Sequence, residues 1–196
     1  MEFYSQAATE MLFQDELLRD ERIVWSGQPN PKVVFSKADI FLVPFSLMWG
    51  GFAIFWETTV IGFGKHGGAP LFFILWGIPF VLIGLYMMFG RFIYKVWKKR
   101  RTYYAVTNKR VLVLTATRGK HVDAAYINAI PTVNKSVRCN GVGTVTFGNA
   151  EGLAGSYGNT GMSFGSYYGQ APPTFYDIRG ADEVYQLVQR LRNEPS

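Results

Sequence analysis

Polar and apolar positions change rhythm twice along this chain, and the changes divide it into three parts. Residues 1 to 36 are polar and rich in carboxylates (Glu10, Asp15, Glu16, Asp20, Glu21), with a helical stripe of Met11, Leu12, Leu17 and Leu18. Ile23, Val24 and Trp25 follow and end at Ser26-Gly27-Gln28-Pro29, the pattern of a short extended piece and a turn. Charge then nearly vanishes. Ile40 to Trp56 is a run of seventeen uncharged residues, and Lys65 and Arg91 bracket twenty-five more, with His66 the lone histidine among them. A hydrocarbon core about 30 Å thick takes roughly 20 helical residues at ~1.5 Å each. The second run is long enough outright, and the first reaches that length by continuing past Glu57 through Ile61. Two spans are therefore predicted, over about 38–61 and 70–93, inside a hairpin of residues 37–94.

After Thr102 the period becomes that of strands. Tyr103 to Thr107 and Val111 to Thr115 are β-prone runs joined at Asn108-Lys109, and a third run falls around His121 to Ile127. Thr132 to Cys139 and Val142 to Gly148 flank Asn140-Gly141, a strong short-range hairpin signal. Phe175 to Ile178 offers a closing strand. Beyond Gly180 and Asp182, Val184, Leu187, Val188 and Leu191 recur at helical spacing. Antiparallel strands followed by one amphipathic helix predict a small barrel or sandwich capped by that helix. The expected fold class is thus α+β: a two-helix transmembrane hairpin, then a small antiparallel β-domain over residues 95–196. The N-terminal stretch is expected to pack against the membrane-proximal face of that domain.

Flanking chemistry supports the spans. Trp56 and Trp76 stand toward one end of them, and Phe92, Tyr94 and Trp97 toward the other, as interfacial aromatic belts do. Pro44 and Pro79 would break ordinary soluble helices but are tolerated in spanning ones. The apolar run starts far from Met1 and lacks a basic n-region, unlike a cleaved signal peptide. Arg91, Lys95, Lys98, Lys99, Arg100 and Arg101 follow the second span, Lys32 and Lys37 precede the first, and the connection has Lys65 alone. The positive-inside rule then puts both termini in the cytoplasm of an inner membrane, with an outer loop at about 62 to 70. The lone Cys139 lies on the reducing side, has no disulfide partner within the chain, and is expected to be a buried structural thiol.

Several motifs carry a resemblance. Thr102-Tyr-Tyr-Ala-Val-Thr-Asn-Lys-Arg-Val111, directly behind a basic membrane exit, resembles the first hairpin of bacterial pleckstrin-homology-like domains. Gly143-Thr-Val-Thr-Phe-Gly148 is similar to a recurring strand of that family, as are Phe175-Tyr-Asp-Ile178 and the following Glu183-Val-Tyr185. Upstream, Trp25-Ser-Gly-Gln-Pro29 and the paired apolar runs resemble small two-span membrane proteins that carry such a domain. The resemblance implies a seven-stranded, helix-capped barrel on a membrane stalk, and no catalytic residues.

The reactive groups are few. With two histidines, one cysteine and no H-E-x-x-H or C-x-x-C pattern, neither a metal nor any other cofactor is expected. No G-x-S-x-G elbow or Walker loop is present, and the carboxylates are scattered, so an enzyme is not expected. Three features remain as candidate sites. The first is basic: ten of the twenty Lys and Arg fall between Arg91 and Lys120, where no carboxylate does. Lys95, Lys98, Lys99, Arg100, Arg101, Lys109 and Arg110 suit either topology control or anionic lipid headgroups, at about 1 kcal/mol each. Charge concentrated at a membrane exit argues against nucleic acid. The second is an insertion at 149–171. Gly152 to Tyr176 is uncharged and holds six of the chain's 21 glycines, with Tyr157, Phe164, Tyr167 and Tyr168 as aromatic anchors for a protein partner or the bilayer interface. The third is the hairpin itself, where Ser46, Gly50, Gly51, Gly77 and Gly84 offer close approach between the spans, with homo-oligomerisation the other use. Glu57 is expected to snorkel at the outer interface. The expected function is a membrane-anchored, non-enzymatic interaction module that recruits an unidentified protein partner. The alternatives are an anionic lipid-headgroup sensor and an accessory subunit of a transport or channel assembly.

Overall fold

The computed structural model describes residues 9–65, 71–149, 158–162 and 172–193. They divide into two compact units. One holds the described residues up to 33, 96–149, 158 and 172–193; the other holds 34–65, 71–95 and 159–162. The class is α+β, with two long apolar helices and two antiparallel sheets.

The helical unit is built on α1 (Asp39–Lys65) and α2 (Leu71–Leu85), with Pro44 and Pro79 inside them as expected. After α2 a π-turn, Tyr86–Gly90, leads into α3 (Arg91–Lys99). The helices outrun the predicted spans at both C-terminal ends. Gly62 and Gly64 do not stop α1, and the basic residues after Arg91 continue the helix, since Lys and Arg are good helix formers favoured near a C-terminus. Asp39 opens α1. Its Oδ2 accepts from the Ser36 amide at 2.5 Å and the Ser36 hydroxyl at 2.7 Å, which fixes the helix entry.

The pair meets along one stripe. Asp39, Leu42, Ser46, Gly50, Ala53 and Glu57 are the buried positions of α1, spaced by three or four, and Gly77 and Gly84 are those of α2. At the crossing a Cβ on Gly84 would stand 2.8 Å from the Gly50 Cα, so only glycine allows this approach. Gly51, expected to share the contact, instead faces open space, because it stands next to the stripe and not on it. Both helices pass the length and composition test for crossing a bilayer, and the protein buries only 22% and 11% of their most apolar windows. Core helices of soluble proteins bury their apolar side chains; these leave Phe41, Phe52, Phe55, Leu71, Phe72 and Leu82 more than half exposed.

Among the described residues the second unit contains seven strands in two sheets. The first sheet runs β1-β2-β3-β4, with β1 (Ile23–Gly27), β2 (Thr102–Thr107), β3 (Arg110–Ala116) and β4 (Lys120–Tyr126). The second runs β5-β6-β7, with β5 (Val133–Val137), β6 (Val142–Phe147) and β7 (Thr174–Arg179). Helix α4 (Ala181–Asn193) follows. The two predicted turns are present. At β2–β3 the Thr107 hydroxyl accepts from the Lys109 and Arg110 amides at 3.1 and 2.7 Å. At β5–β6 Gly141 takes φ +74°, which lets its amide reach the Arg138 carbonyl at 2.9 Å.

Period-two alternation sends β2 and β3 side chains to two cores. Tyr104, Val106, Val111 and Val113 join Val145, Phe147, Phe175 and Ile178 of the second sheet and Val184 and Val188 of α4. Phe175 is the hub, with Tyr104 at 4.6 Å, Phe147 at 4.8 Å and Trp25 at 5.7 Å between ring centroids. On the opposite face Ala105, Leu112 and Leu114 are covered by Phe13 and Leu17. The N-terminal stretch therefore does more than pack on the domain: it supplies a strand of the first sheet and the cover of its second face. The residue that anchors it is Phe13, fully buried, whereas Met11, Leu12 and Leu18 of the predicted stripe are exposed. The stripe does not form because residues 9–13 are helical only as far as Phe13, and a 3₁₀ turn, Gln14–Glu16, resets the facing. Cys139 is exposed, not buried, because it occupies the tip of the β5–β6 turn.

Candidate functional site

The basic stretch from Arg91 to Lys120 separates into cations held inside the protein and cations left outside. In α3, Arg91, Lys95 and Lys99 are four apart, so they line one face, and all three are buried. Arg91 pairs with Asp39, and its Nε donates to the Met87 carbonyl at 2.8 Å within the π-turn. A π-turn displaces the regular i→i−4 bonding, and the Arg91 side chain takes up the carbonyl that results. The Lys95 ammonium donates to the Val34 carbonyl at 2.6 Å and lies 3.9 Å from Asp39. In the same helical unit the Tyr86 hydroxyl donates to the Gly161 carbonyl at 2.9 Å, and a Cβ at Gly161 would meet the Arg91 carbonyl. The short stretch 159–162 of the Gly-rich insertion thus docks on the π-turn.

In the β-unit, Lys99 donates to Asp177 Oδ2 and to the Val33 carbonyl, both at 2.6 Å, and Arg138 approaches Asp177 Oδ1 at 3.5 Å. Asp177 sits at φ +49°, a rare region for a residue with a Cβ. Its carbonyl accepts from the Asn30 amide at 2.9 Å, and its own amide donates to the Thr144 hydroxyl at 3.4 Å. These bonds hold the unusual backbone and aim the carboxylate at Lys99.

Arg110 is held as well. It grips Glu21 in a fork, Nε to Oε1 at 3.0 Å and Nη2 to Oε2 at 2.7 Å, and reaches the Glu16 carbonyl at 2.9 Å. Glu21 also accepts from the Thr107 hydroxyl and the Leu18 amide, each at 2.7 Å. Burial by itself would raise the Glu21 carboxyl, but the Arg110 fork, the Leu18 amide and the Thr107 hydroxyl outweigh it and bring it down to about 2. The Glu21 carboxylate in turn raises Arg110 above its ordinary value. Lys109 is exposed and donates to the Arg19 carbonyl at 3.2 Å.

Of the seven cations singled out in the sequence, Lys98, Arg100 and Arg101 are left exposed at the end of α3, with Arg101 4.6 Å over the Trp97 ring. The structure gathers these three and commits Lys95, Lys99 and Arg110 to internal partners. Tyr157, Phe164, Tyr167 and Tyr168 lie outside the described residues. Among the described residues no group of three or more His, Cys, Asp or Glu could hold a metal ion. Sequence reasoning did not find Asp39 or Asp177. Asp39 had a signal, a single acid at the mouth of an apolar run whose partner run ends in arginine; Asp177 had none, because its partners lie far away in sequence. Glu57, expected to snorkel, is 8% exposed and turned into the helix pair against Gly77. It stands on the interhelical stripe, and that position sets its direction before chain length can matter.

Comparison of the chain with models of known protein families, with curated protein sequences and with solved structures finds no match.

Proposed function

We propose that this chain is a two-span integral membrane protein whose β-unit is held at the inner leaflet as a non-enzymatic interaction module that recruits or organises a protein partner. The observation that carries the reading is connectivity. Only Arg100 and Arg101 separate the end of α3 from β2, so the strand domain follows the apolar helix without a linker. The scarcely covered apolar faces of both helices support a bilayer as their surroundings. The excess of basic residues beside α3 supports a cytoplasmic side for the domain. Seven strands in two sheets followed by one helix agree with the resemblance to bacterial pleckstrin-homology-like domains, whose barrel is the finer architecture we propose here.

Exposed Cys139 gives a direct test of the topology. A membrane-impermeant maleimide should label it in inverted vesicles and leave it unlabelled in sealed right-side-out cells; the reverse pattern would overturn the orientation. For the module itself, photo-cross-linkers placed on exposed strand positions such as Lys120, Tyr126 and Val137 should give discrete protein adducts in the native membrane. Adducts to lipid alone would transfer the proposal to the second reading, an anionic headgroup sensor. The exposed trio Lys98, Arg100 and Arg101 is the observation that favours that reading.

A further inference from the structure

The stripe along which α1 and α2 meet ends in an acid. Glu57 is 8% exposed, and among the described residues its buried Oε2 has no hydrogen-bond partner. It lies against Gly77, where a Cβ would collide with that oxygen, so the missing side chain at 77 is what gives the carboxylate room. Gly77 also forms part of the wall of a groove of 290 Å³, between Trp49, Phe52 and Trp56 of α1 and Trp76 and Phe80 of α2. These five aromatic side chains are 36% to 64% exposed, so the groove opens outward from the helix pair. Two conditions meet at Gly77. A carboxylate oxygen buried in apolar surroundings without a donor is costly. Beside it stands a concave surface of aromatic rings, whose faces attract cations.

We infer that this groove binds a small lipophilic organic cation, a quaternary ammonium or phosphonium with aryl or alkyl arms, entering sideways from the bilayer. The rings hold the arms and the Glu57 carboxylate supplies the opposite charge. Charge complementarity selects this occupant over a neutral acyl chain, which would leave Oε2 as it is, and over a second copy of the apolar helices, which would bring only more rings. The inference rests on the helices lying in a bilayer and is independent of what the β-unit recruits.

The test uses the full chain in phosphatidylcholine nanodiscs, with radiolabelled tetraphenylphosphonium as the probe. Saturable binding above that of empty discs is expected, with Glu57→Gln weakening it about tenfold. Neutral triphenylphosphine oxide should show no dependence on residue 57. Equal affinity in the wild type and Glu57→Gln, or no saturable binding, would overturn the proposal. Should Glu57→Gln fail to insert, Trp76→Ala on the groove wall takes its place: a loss of affinity supports the site and an unchanged affinity overturns it. Incorporation into discs is read separately from binding. Failure to incorporate counts against the membrane reading, and incorporation without saturable binding counts against the cation site.

Discussion

The two units of this chain arrange their bulky side chains in opposite ways. The strand domain hides its aromatic and branched residues, Phe175, Tyr104, Leu112 and Val145 among them, and leaves polar positions outside. The helix pair puts glycine, alanine and serine at its contact and turns Phe, Leu, Ile and Trp outward. Different surroundings for the two units would account for both, as the proposed membrane reading has it. In water the gain from removing apolar area selects large residues for the interior. In lipid that gain vanishes between helices, and close backbone approach takes over as the selecting force. Buried ion pairs occur in both units, but with different neighbours: Asp39–Arg91 closes the base of the helix pair, and Glu21–Arg110 ties the N-terminal stretch to β3.

The widest separation between the units should come from removing one phenylalanine in each. Phe175→Ala opens a cavity at the aromatic hub and is expected to cost about 3–5 kcal/mol. Phe52→Ala, 64% exposed on α1, should stay within about 0.5 kcal/mol in a lipid disc. Urea unfolding of the full chain in discs measures both, and similar losses would end the distinction. Next in size, Arg110→Ala strands a buried Glu21 and should destabilise by about 3–5 kcal/mol at neutral pH. The pair also fixes a pH dependence. Its carboxyl titrates at about 2 when folded against an ordinary 4.5, so the folded state releases that proton more readily than the unfolded chain. The contribution is therefore complete above about pH 4.5 and is lost as pH falls toward 2. Acid unfolding of Arg110→Met should show a shallower slope over that window than the wild type.

Smaller effects sharpen the comparison inside the helix pair. Gly84→Val forces a side chain against the Gly50 backbone and should cost about 1–3 kcal/mol, read as loss of thermal stability in discs. Gly51→Val, one residue along from Gly50 and facing open space, should change stability by no more than about 0.5 kcal/mol. Equal effects would mean that the stripe is not the contact. Smallest for stability are the outer cations. Lys98→Gln, Arg100→Gln and Arg101→Gln together should leave the melting temperature unchanged while lowering the anionic lipid retained in native mass spectra, by about 1 kcal/mol per residue. Lys99→Gln should do the reverse, because that ammonium is already bound to Asp177 and the Val33 carbonyl.

The sequence by itself determined what depends on near neighbours along the chain. Run length predicted both apolar helices, period two predicted six of the strands, and Asn140-Gly141 and Asn108-Lys109 predicted their turns, because backbone sterics and side-chain alternation act within a few residues. Strand β1 was legible only as an extended piece, since its place beside β2 depends on a partner about eighty residues away. Tertiary structure alone decided the division of the cations. Lys98 and Lys99 are adjacent and chemically identical, yet one faces out and the other is enclosed, because a helix rotates successive residues by about 100° and Asp177 waits on one side only. The same reason hid Glu57. A carboxylate near the end of an apolar run can snorkel or turn inward, and the choice fell to a glycine on the other helix, twenty residues further along the chain.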